Sequence, residues 1–398
     1  MKIAIIGAGI YGCHLAVKLS SMYQIDLYDM GDKLLTGASG FNSYRIHKGY
    51  HYPRSGKTRL MCQQDEKYFL KEYGHLVDPC ENNPKVFCVA DDNRTMMDFE
   101  TMKVIMQGTD LPFTELSKKQ LTDLGYDNVE GGFRVHESIM MVDKFRSWFK
   151  LKLEENNVNI YLGRKIENID TENDEYIGLE NEDYDLVINA TYNQDFQYHT
   201  SKHKHYYDLC LGLVVASKSE SKVKKLESFG IFDGAFPSLE PFGFSELPEE
   251  YSTYKNKSLF QIFHVEHTSV AQYEDIDTAR KALKDGLSEE KLNETASKML
   301  DDTRFFYPKF DEEFEVIGNW LSIKTKVTDL SDNRPLIVAQ DKTIHPRFLQ
   351  VFSSKLHSIY GAERQVIRIV DKIKEEMVSQ DKFHLPMERN SNNVAINI

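Results

Sequence analysis

Two short stretches of this sequence hold residue types that can do chemistry. The first is Gly7-Ala8-Gly9-Ile10-Tyr11-Gly12, a G-x-G-x-x-G spacing directly after the apolar run Lys2 to Ile6. The second is Gly37 to Ser55, GASGFNSYRIHKGYHYPRS, dense in Arg, His and Tyr. Read as a strand, its alternate residues share a face. Arg45, His47, Gly49 and His51 then gather on one side, with Tyr44, Ile46, Lys48, Tyr50 and Tyr52 on the other. A neutral imidazole accepts a proton from a hydroxyl or amine. A guanidinium binds a carboxylate as a fork, and Gly49 leaves a gap that a flat ring can approach. The competing reading is a polar edge strand facing solvent, which suits Lys48 and Arg54.

The elements around these residues give the first motif its meaning. Lys2 to Ile6 reads as a strand, Ile10 to Met22 as a helix, and Gln24 to Tyr28 as a second strand ending at Asp29. That is a βαβ unit with its glycines at the first turn, the context that makes the spacing a dinucleotide fingerprint. Gly7 permits the turn, Gly9 lets a pyrophosphate approach the backbone, and Gly12 lets helix and strand pack closely. The helix N-terminus at Ile10 and Tyr11 offers N–H groups to phosphate. Asp29 offers acceptors to a ribose and disfavours a 2′-phosphate. The motif does not choose between NAD and FAD. A Gly/Ser/Asn loop after Asp29, in place of another helix, suggests a flavin held by that loop, with Ser39, Asn42 and Ser43 as candidate contacts.

Further along, a helix is expected over Lys57 to Tyr73 and strands over Lys85 to Ala90 and Glu130 to Glu137. A helix follows over Asp143 to Asn156, then strands at Val158 to Leu162 and Lys165 to Asp170, and a buried strand, YDLVINA, at Tyr184 to Ala190. Strands at Leu211 to Ala216 and Leu259 to Val265 precede a helix at Ser288 to Asp302. Short strands at Leu336 to Val338 and Phe348 to Phe352 lead to a closing helix, Gly361 to Met377, and a frayed tail from Gln380.

Composition bounds the function. The chain has 398 residues and a net charge of −13, which argues against a nucleic-acid backbone binder. No apolar run reaches the ~18 residues of a membrane span. Five cysteines without a C-x-x-C pair suit neither a disulfide scaffold nor a zinc site, and the expected compartment is the cytoplasm. His264 and His267 fall on opposite faces of a strand, and neither they nor His203 and His205 make a metal site; none is expected. No G-x-S-x-G elbow supports a nucleophilic serine.

The N-terminal fingerprint, the segment Ala38-Ser39-Gly40-Phe41-Asn42-Ser43 and the YDLVINA strand together resemble the FAD-dependent oxidoreductases of the D-amino-acid oxidase type, which include glycine and sarcosine oxidases. Asn42 to Cys62, NSYRIHKGYHYPRSGKTRLMC, is closest to the L-2-hydroxyglutarate oxidase and dehydrogenase branch. Trp320 to Val338, WLSIKTKVTDLSDNRPLIV, is similar to the family's C-terminal Trp-to-Arg-Pro segment. The sequence also departs from the family. Lys324 stands where a carboxylate-binding Arg is usual, and a lysine is a point charge rather than a fork. Thr191-Tyr192 follow Ala190, and the C-terminal Gly-rich loop is reduced to VFSSKLHSIYG.

The resemblance implies an α/β fold, a Rossmann-like FAD-binding domain (1–80, 140–205 and 335–398) interleaved with an antiparallel-sheet substrate domain (81–139 and 206–334). It implies oxidation of a CH–OH or CH–NH bond of a small anionic substrate by hydride transfer to FAD, with an electron acceptor the sequence does not name. His47 then acts on the heteroatom proton, with His51 beside it, and Arg45 and Lys324 orient the anion. FAD is met by Gly7, Gly9, Ile10, Tyr11, Gly12, Asp29, Ser39, Asn42, Ser43, Gly49 and Ala190, while Lys355 and His357 supply positive charge to the reduced flavin. Two alternatives stay open: a non-redox flavoenzyme cleaving an adduct on a larger carrier, and a catalytically silent FAD-binding protein.

Overall fold

The computed structural model describes residues 1–81, 84–173, 175–198, 204–220, 227–328 and 336–383. The expected tail falls almost wholly outside them, as does His203. The fold is α/β, built on a mostly parallel sheet and a mostly antiparallel one.

The parallel sheet begins with β1 (Lys2–Ile6), passes through helix α1 (Ile10–Leu19) and returns as β2 (Gln24–Tyr28), as the alternation of apolar residues predicts. Six strands lie in the order 336–340, 348–353, 186–189, β1, β2, 159–161. All neighbours run parallel except the outermost strand, Leu336–Gln340. The chain leaves β1 toward β2 on one side and later returns to Leu186–Asn189 on the other. The carboxyl end of β1 is therefore a switch point, where ligands of open parallel sheets bind.

Close packing there depends on two glycines. Gly7 has φ +101°, and a Cβ on it would lie 2.7 Å from the Ala190 carbonyl oxygen. A Cβ on Gly12 would lie 1.8 Å from the Gly7 carbonyl oxygen, so only hydrogen fits where α1 crosses β1. Buried His14 then ties α1 to its neighbours. Its Nδ1 is 2.7 Å from the Tyr73 hydroxyl on helix α2 (Gly56–Tyr73), and its Nε2 is 2.9 Å from Glu363 on the C-terminal helix Ile359–Phe383.

The second sheet has nine strands. Its spine is the long strand His205–Glu220, paired antiparallel with Phe314–Val327 over most of its length. Only Lys85–Ala90 and Ser228–Phe232 pair in parallel. Gly212 faces Trp320, whose indole would be 2.5 Å from a Cβ there. The Trp320 indole N–H donates to Gln261 Oε1 at 2.9 Å, and Gln261 Nε2 donates to the Asn42 carbonyl at 3.1 Å. This relay joins the antiparallel sheet to the loop after β2.

Two expected strands are absent. Gly37 to Ser55 forms an irregular loop with one bridge, Arg45 to Ile139. Left-handed backbone at Tyr44 (φ 55°) and at Gly49 (φ 115°) breaks the extended run, so alternation does not set its faces. Lys165 to Asp170 is likewise irregular, with Asp170 alone bridging Gly178. Helices at Phe99–Gln107, Lys118–Leu124 and Ile276–Asp285 go beyond the sequence expectations.

Gly12→Ala forces α1 and β1 apart. It is expected to destabilise the protein by about 1–3 kcal/mol, the usual overpacking range, with weakened flavin retention. Urea unfolding with a parallel flavin-fluorescence reading measures both.

Candidate functional site

A cavity of about 520 Å³ opens at the carboxyl end of β1. Its wall is formed by the Gly7–Gly9 turn with Ile10 and Tyr11, by Asp29 and by the loop residues Ser39, Asn42 and Ser43. Arg45, His47, Ala190, Lys324, Lys355 and His357 complete it among the sequence candidates.

At the turn, Asp29 accepts the Ala8 N–H at 2.5 Å and the Gly31 N–H at 2.7 Å, one on each carboxylate oxygen. Each oxygen keeps a further lone pair for a ribose hydroxyl. Burial pushes the Asp29 carboxyl above its usual value, opposed by these two hydrogen bonds. Ser39 Oγ accepts the Ile10 N–H at 3.1 Å and would stand 3.2 Å from a Cβ on Gly9, so the missing side chain keeps the cradle open. Glycine cradle, helix N-terminus and acidic strand end fit a dinucleotide.

Four candidates stand otherwise than the sequence suggests. Arg45 is buried and its guanidinium is consumed internally. Nε donates to Glu240 Oε2 at 3.0 Å, one Nη to the Glu137 carbonyl at 2.8 Å, and the other to Ser228 Oγ at 2.9 Å. Its fork is not available to a substrate carboxylate. Gly49 packs on α2, where a Cβ would come within 3.1 Å of the Arg59 backbone, so its gap is filled by protein and no flat ring enters. His51 is exposed and outside the cavity wall, with its ring 5.8 Å from that of His47. Asn42 spends its side chain on the loop, donating to the Ala38 and Ser39 carbonyls and accepting the Tyr44 N–H. Gly12 also lies off the wall, its part being the helix crossing.

The remaining candidates converge. His47 lines the cavity, and burial, then the Lys355 and Lys85 ammonium groups, hold its imidazole well below the ordinary range. It is a neutral ring, able to accept a proton. Lys355 is buried with Nζ 3.9 Å from the Tyr52 ring centroid, and burial pushes it down to about 7. His357 is 1% exposed and neither ring nitrogen has a hydrogen-bond partner. Such atoms aimed at a cavity fit a polar ligand that completes them. Burial, then the Lys355 ammonium, hold His357 well below its ordinary range, so it is a neutral ring and not the positive charge the sequence suggests. Lys324 reaches the wall from the strand Phe314–Val327, with Nζ 5.3 Å from the Phe263 ring centroid. The Tyr11 hydroxyl donates to the Lys355 carbonyl at 2.6 Å, tying α1 to this basic corner.

The family model described as FAD dependent oxidoreductase matches residues 2–202, about half the chain. The chain belongs to this FAD-dependent oxidoreductase (DAO) family. It is an FAD-dependent enzyme. Among curated proteins it is 28% identical over 374 residues to the FAD-dependent monooxygenase FPY4 of Fusarium mangiferae, covering 93% of this chain and 91% of that one. It is 24% identical over 388 residues to the FAD-dependent monooxygenase kojA of Aspergillus flavus, covering 94% and 86%. Among solved structures, the dithionite-reduced, FAD-bound L-α-glycerophosphate oxidase of Mycoplasma pneumoniae superposes with a TM-score of 0.67 at 14% identity, over 93% of this chain and 94% of that one. Glycine oxidase of Geobacillus kaustophilus gives 0.64 at 10%, over 94% of each. These identities establish a shared fold.

Within this family member, the residues that sequence reasoning passed over are Arg280 on the cavity wall and the buried Lys85 and Glu137 near Arg45 and His47. Arg280 on the helix Ile276–Asp285 makes two 2.7 Å bonds to Asp195. Lys85 shares Glu240 with Arg45. Glu137 is fully buried beside His47. No local pattern marks any of them, because each acquires its neighbours from distant strands.

Arg45→Met leaves the Glu137 carbonyl and Ser228 Oγ without their donor and leaves Lys85 as the one cation against two buried carboxylates, Glu240 and Glu137. A loss of about 3–5 kcal/mol of stability is expected, in contrast to the selective rise in KM that a substrate-binding arginine gives. Chemical denaturation of the variant distinguishes the two.

Proposed function

We propose that this enzyme oxidises a CH–OH or CH–NH bond in a small anionic molecule, such as a 2-hydroxy acid, an amino acid or an N-alkyl amino acid. The observation that carries the reading is a neutral His47 on the wall of the cavity that also contains the glycine turn and two lysines, Lys324 and Lys355, without a carboxylate partner among the described residues. FAD, when bound, supplies the two-electron acceptor. Gly7, Gly9, Ile10, Tyr11, Asp29, Ser39, Ser43 and Ala190 would hold it, with Asn42 fixing the loop that carries Ser39 and Ser43. Lys355 and His357 place a cation and an imidazole where negative charge develops.

In this reading His47 takes the heteroatom proton, the hydride from the adjacent carbon would go to FAD, and reoxidation of the flavin would need a separate electron acceptor. Lys324 and Lys355 attract the anion as point charges, since every arginine on the cavity wall among the described residues is paired: Arg45 with Glu240, Arg164 with Glu180 and Arg280 with Asp195. The described residues within 1–80, 140–205 and 335–398 are assigned to the FAD domain, and those within 81–139 and 206–334 to the substrate domain. Cytoplasmic placement is supported by five buried cysteines, none in a disulfide. No helix among the described residues is long and apolar enough to cross a membrane.

A second reading, oxygen insertion, takes its support from the two fungal relatives named FAD-dependent monooxygenases, whose lengths this chain nearly spans. Anaerobic mixing separates the readings. If 2-hydroxy acids, amino acids or N-alkyl glycines bleach the flavin, the enzyme oxidises them directly. Bleaching by NADH or NADPH alone, with none by any organic acid, overturns the first reading in favour of the second.

His47→Ala is expected to retain FAD and to slow flavin reduction by the bleaching substrate by roughly 10²–10⁴, the usual worth of a general base. Stopped-flow absorbance measures it. Wild-type rates in this variant remove His47 from the chemistry.

A further inference from the structure

One buried carboxylate is not consumed by the charge cluster beneath the cavity. Glu137 is fully buried, just past the strand Val129–Val135. Arg45 takes its backbone carbonyl, and both Arg45 and Lys85 direct their charge to Glu240 instead. Glu137 Oε1 accepts the Lys48 backbone N–H at 2.9 Å. Its other oxygen, Oε2, is buried with no hydrogen-bond partner and lies 3.8 Å from His47 Nδ1, which is also buried and unpartnered. Two unsatisfied buried atoms of complementary type face each other across a gap about 1 Å longer than a hydrogen bond.

We propose that Glu137 is the positioning residue for His47, closing on Nδ1 in the loaded enzyme and fixing the imidazole as its Nδ1–H tautomer. The inference rests on His47 being the proton acceptor. Catalytic hydrogen bonds are often long before ligand binding and tighten in the complex. An ionised carboxylate can only accept, so it selects the ring form with the proton on Nδ1. The lone pair then sits on Nε2. The 18% of the His47 side chain that remains exposed belongs to atoms other than Nδ1, which places the lone pair on the accessible side of the ring. Without an acceptor at Nδ1 the ring is free to turn its lone pair inward, away from any substrate.

The other charged and titratable groups around the ring do not provide this acceptor. Lys355, Lys85 and Arg45 oppose a proton on it, and Glu240 favours one but is held by Arg45 and Lys85. His51 stacks at 5.8 Å, Tyr52 meets the ring edge-on at 6.0 Å, and His357 is neutral and unpartnered. Glu137 alone among these presents a free carboxylate oxygen toward Nδ1.

Glu137→Gln tests the assignment sharply. Lys48 N–H requires an acceptor, so the new carbonyl oxygen takes the place of Oε1 and the amide NH₂ faces His47. That group donates, and the tautomer inverts to Nε2–H. The FAD-loaded protein, labelled with ¹⁵N-histidine, shows the tautomer through long-range ¹H–¹⁵N correlations, with His47→Gln assigning the signal. Nδ1–H as the major form in the wild type and Nε2–H in Glu137→Gln are expected. Nε2–H in the wild type, or an unchanged tautomer in the variant, overturns the proposal. If Glu137→Gln does not accumulate folded, Glu137→Asp keeps the charge but withdraws it by one methylene. It must then raise the Nε2–H fraction, and an unchanged tautomer is again fatal. A Glu137 that merely balanced buried charge would alter stability and leave the tautomer in place. The spectrum reports positioning and His47→Ala kinetics report the base, so either can fail without the other.

Discussion

The site depends on one buried carboxylate shared by two cations. Glu240 lies in the antiparallel sheet, on the strand Pro237–Pro241, with Arg45 on one side and Lys85 on the other. Burial alone opposes a charge on Glu240, and Lys85 with Arg45 holds its carboxyl below the ordinary range. Arg45 belongs to the loop that follows the dinucleotide turn, so this cluster pins that loop to the other sheet. The Trp320–Gln261–Asn42 relay and the backbone bonds from Ile46 N–H to the Ser138 carbonyl and from Met140 N–H to the Tyr44 carbonyl hold the same loop from other directions. With the loop fixed, His47 can stand on the cavity wall without belonging to regular structure.

That arrangement has a chemical consequence. A guanidinium committed to Glu240 binds no substrate, and the other two arginines on the wall are committed as well. An anion entering the cavity meets ammonium groups, one of them held by burial near neutrality. On the proposed reading, the cavity discriminates by charge and pH more than by the planar geometry of a carboxylate. The uncharged ring nitrogens of His47 and His357 add acceptor capacity without the repulsion that protonated rings would bring to a pocket already lined by three lysines.

Much of this was legible in the sequence, for physical reasons. The βαβ unit was readable because its glycines are demanded by contacts within a few residues of chain, such as Gly12 against Gly7. The FAD assignment followed from that unit and the loop after Asp29. His47 does line the cavity, although the strand alternation behind its choice is not what the loop adopts. Left-handed backbone at Tyr44, which its sequence does not announce, turns Arg45 into the interior. Glu137, Lys85, Glu240 and Arg280 were illegible because their roles come from partners in distant strands and helices, which no local periodicity encodes. Gly49 was misread for the same reason: its neighbour is α2, not a ligand.

The claim that Lys355 meets the substrate anion is tested most directly by titrating acetate into the FAD-loaded protein across pH and following the visible flavin spectrum. Lys355 loses its proton as pH rises through about 7, because burial has lowered its affinity for the proton. Acetate should therefore bind below that pH and weaken by up to about tenfold for each unit above it, and Lys355→Met should remove the dependence. An affinity constant from pH 6 to 9, as a permanently charged guanidinium would give, contradicts the account.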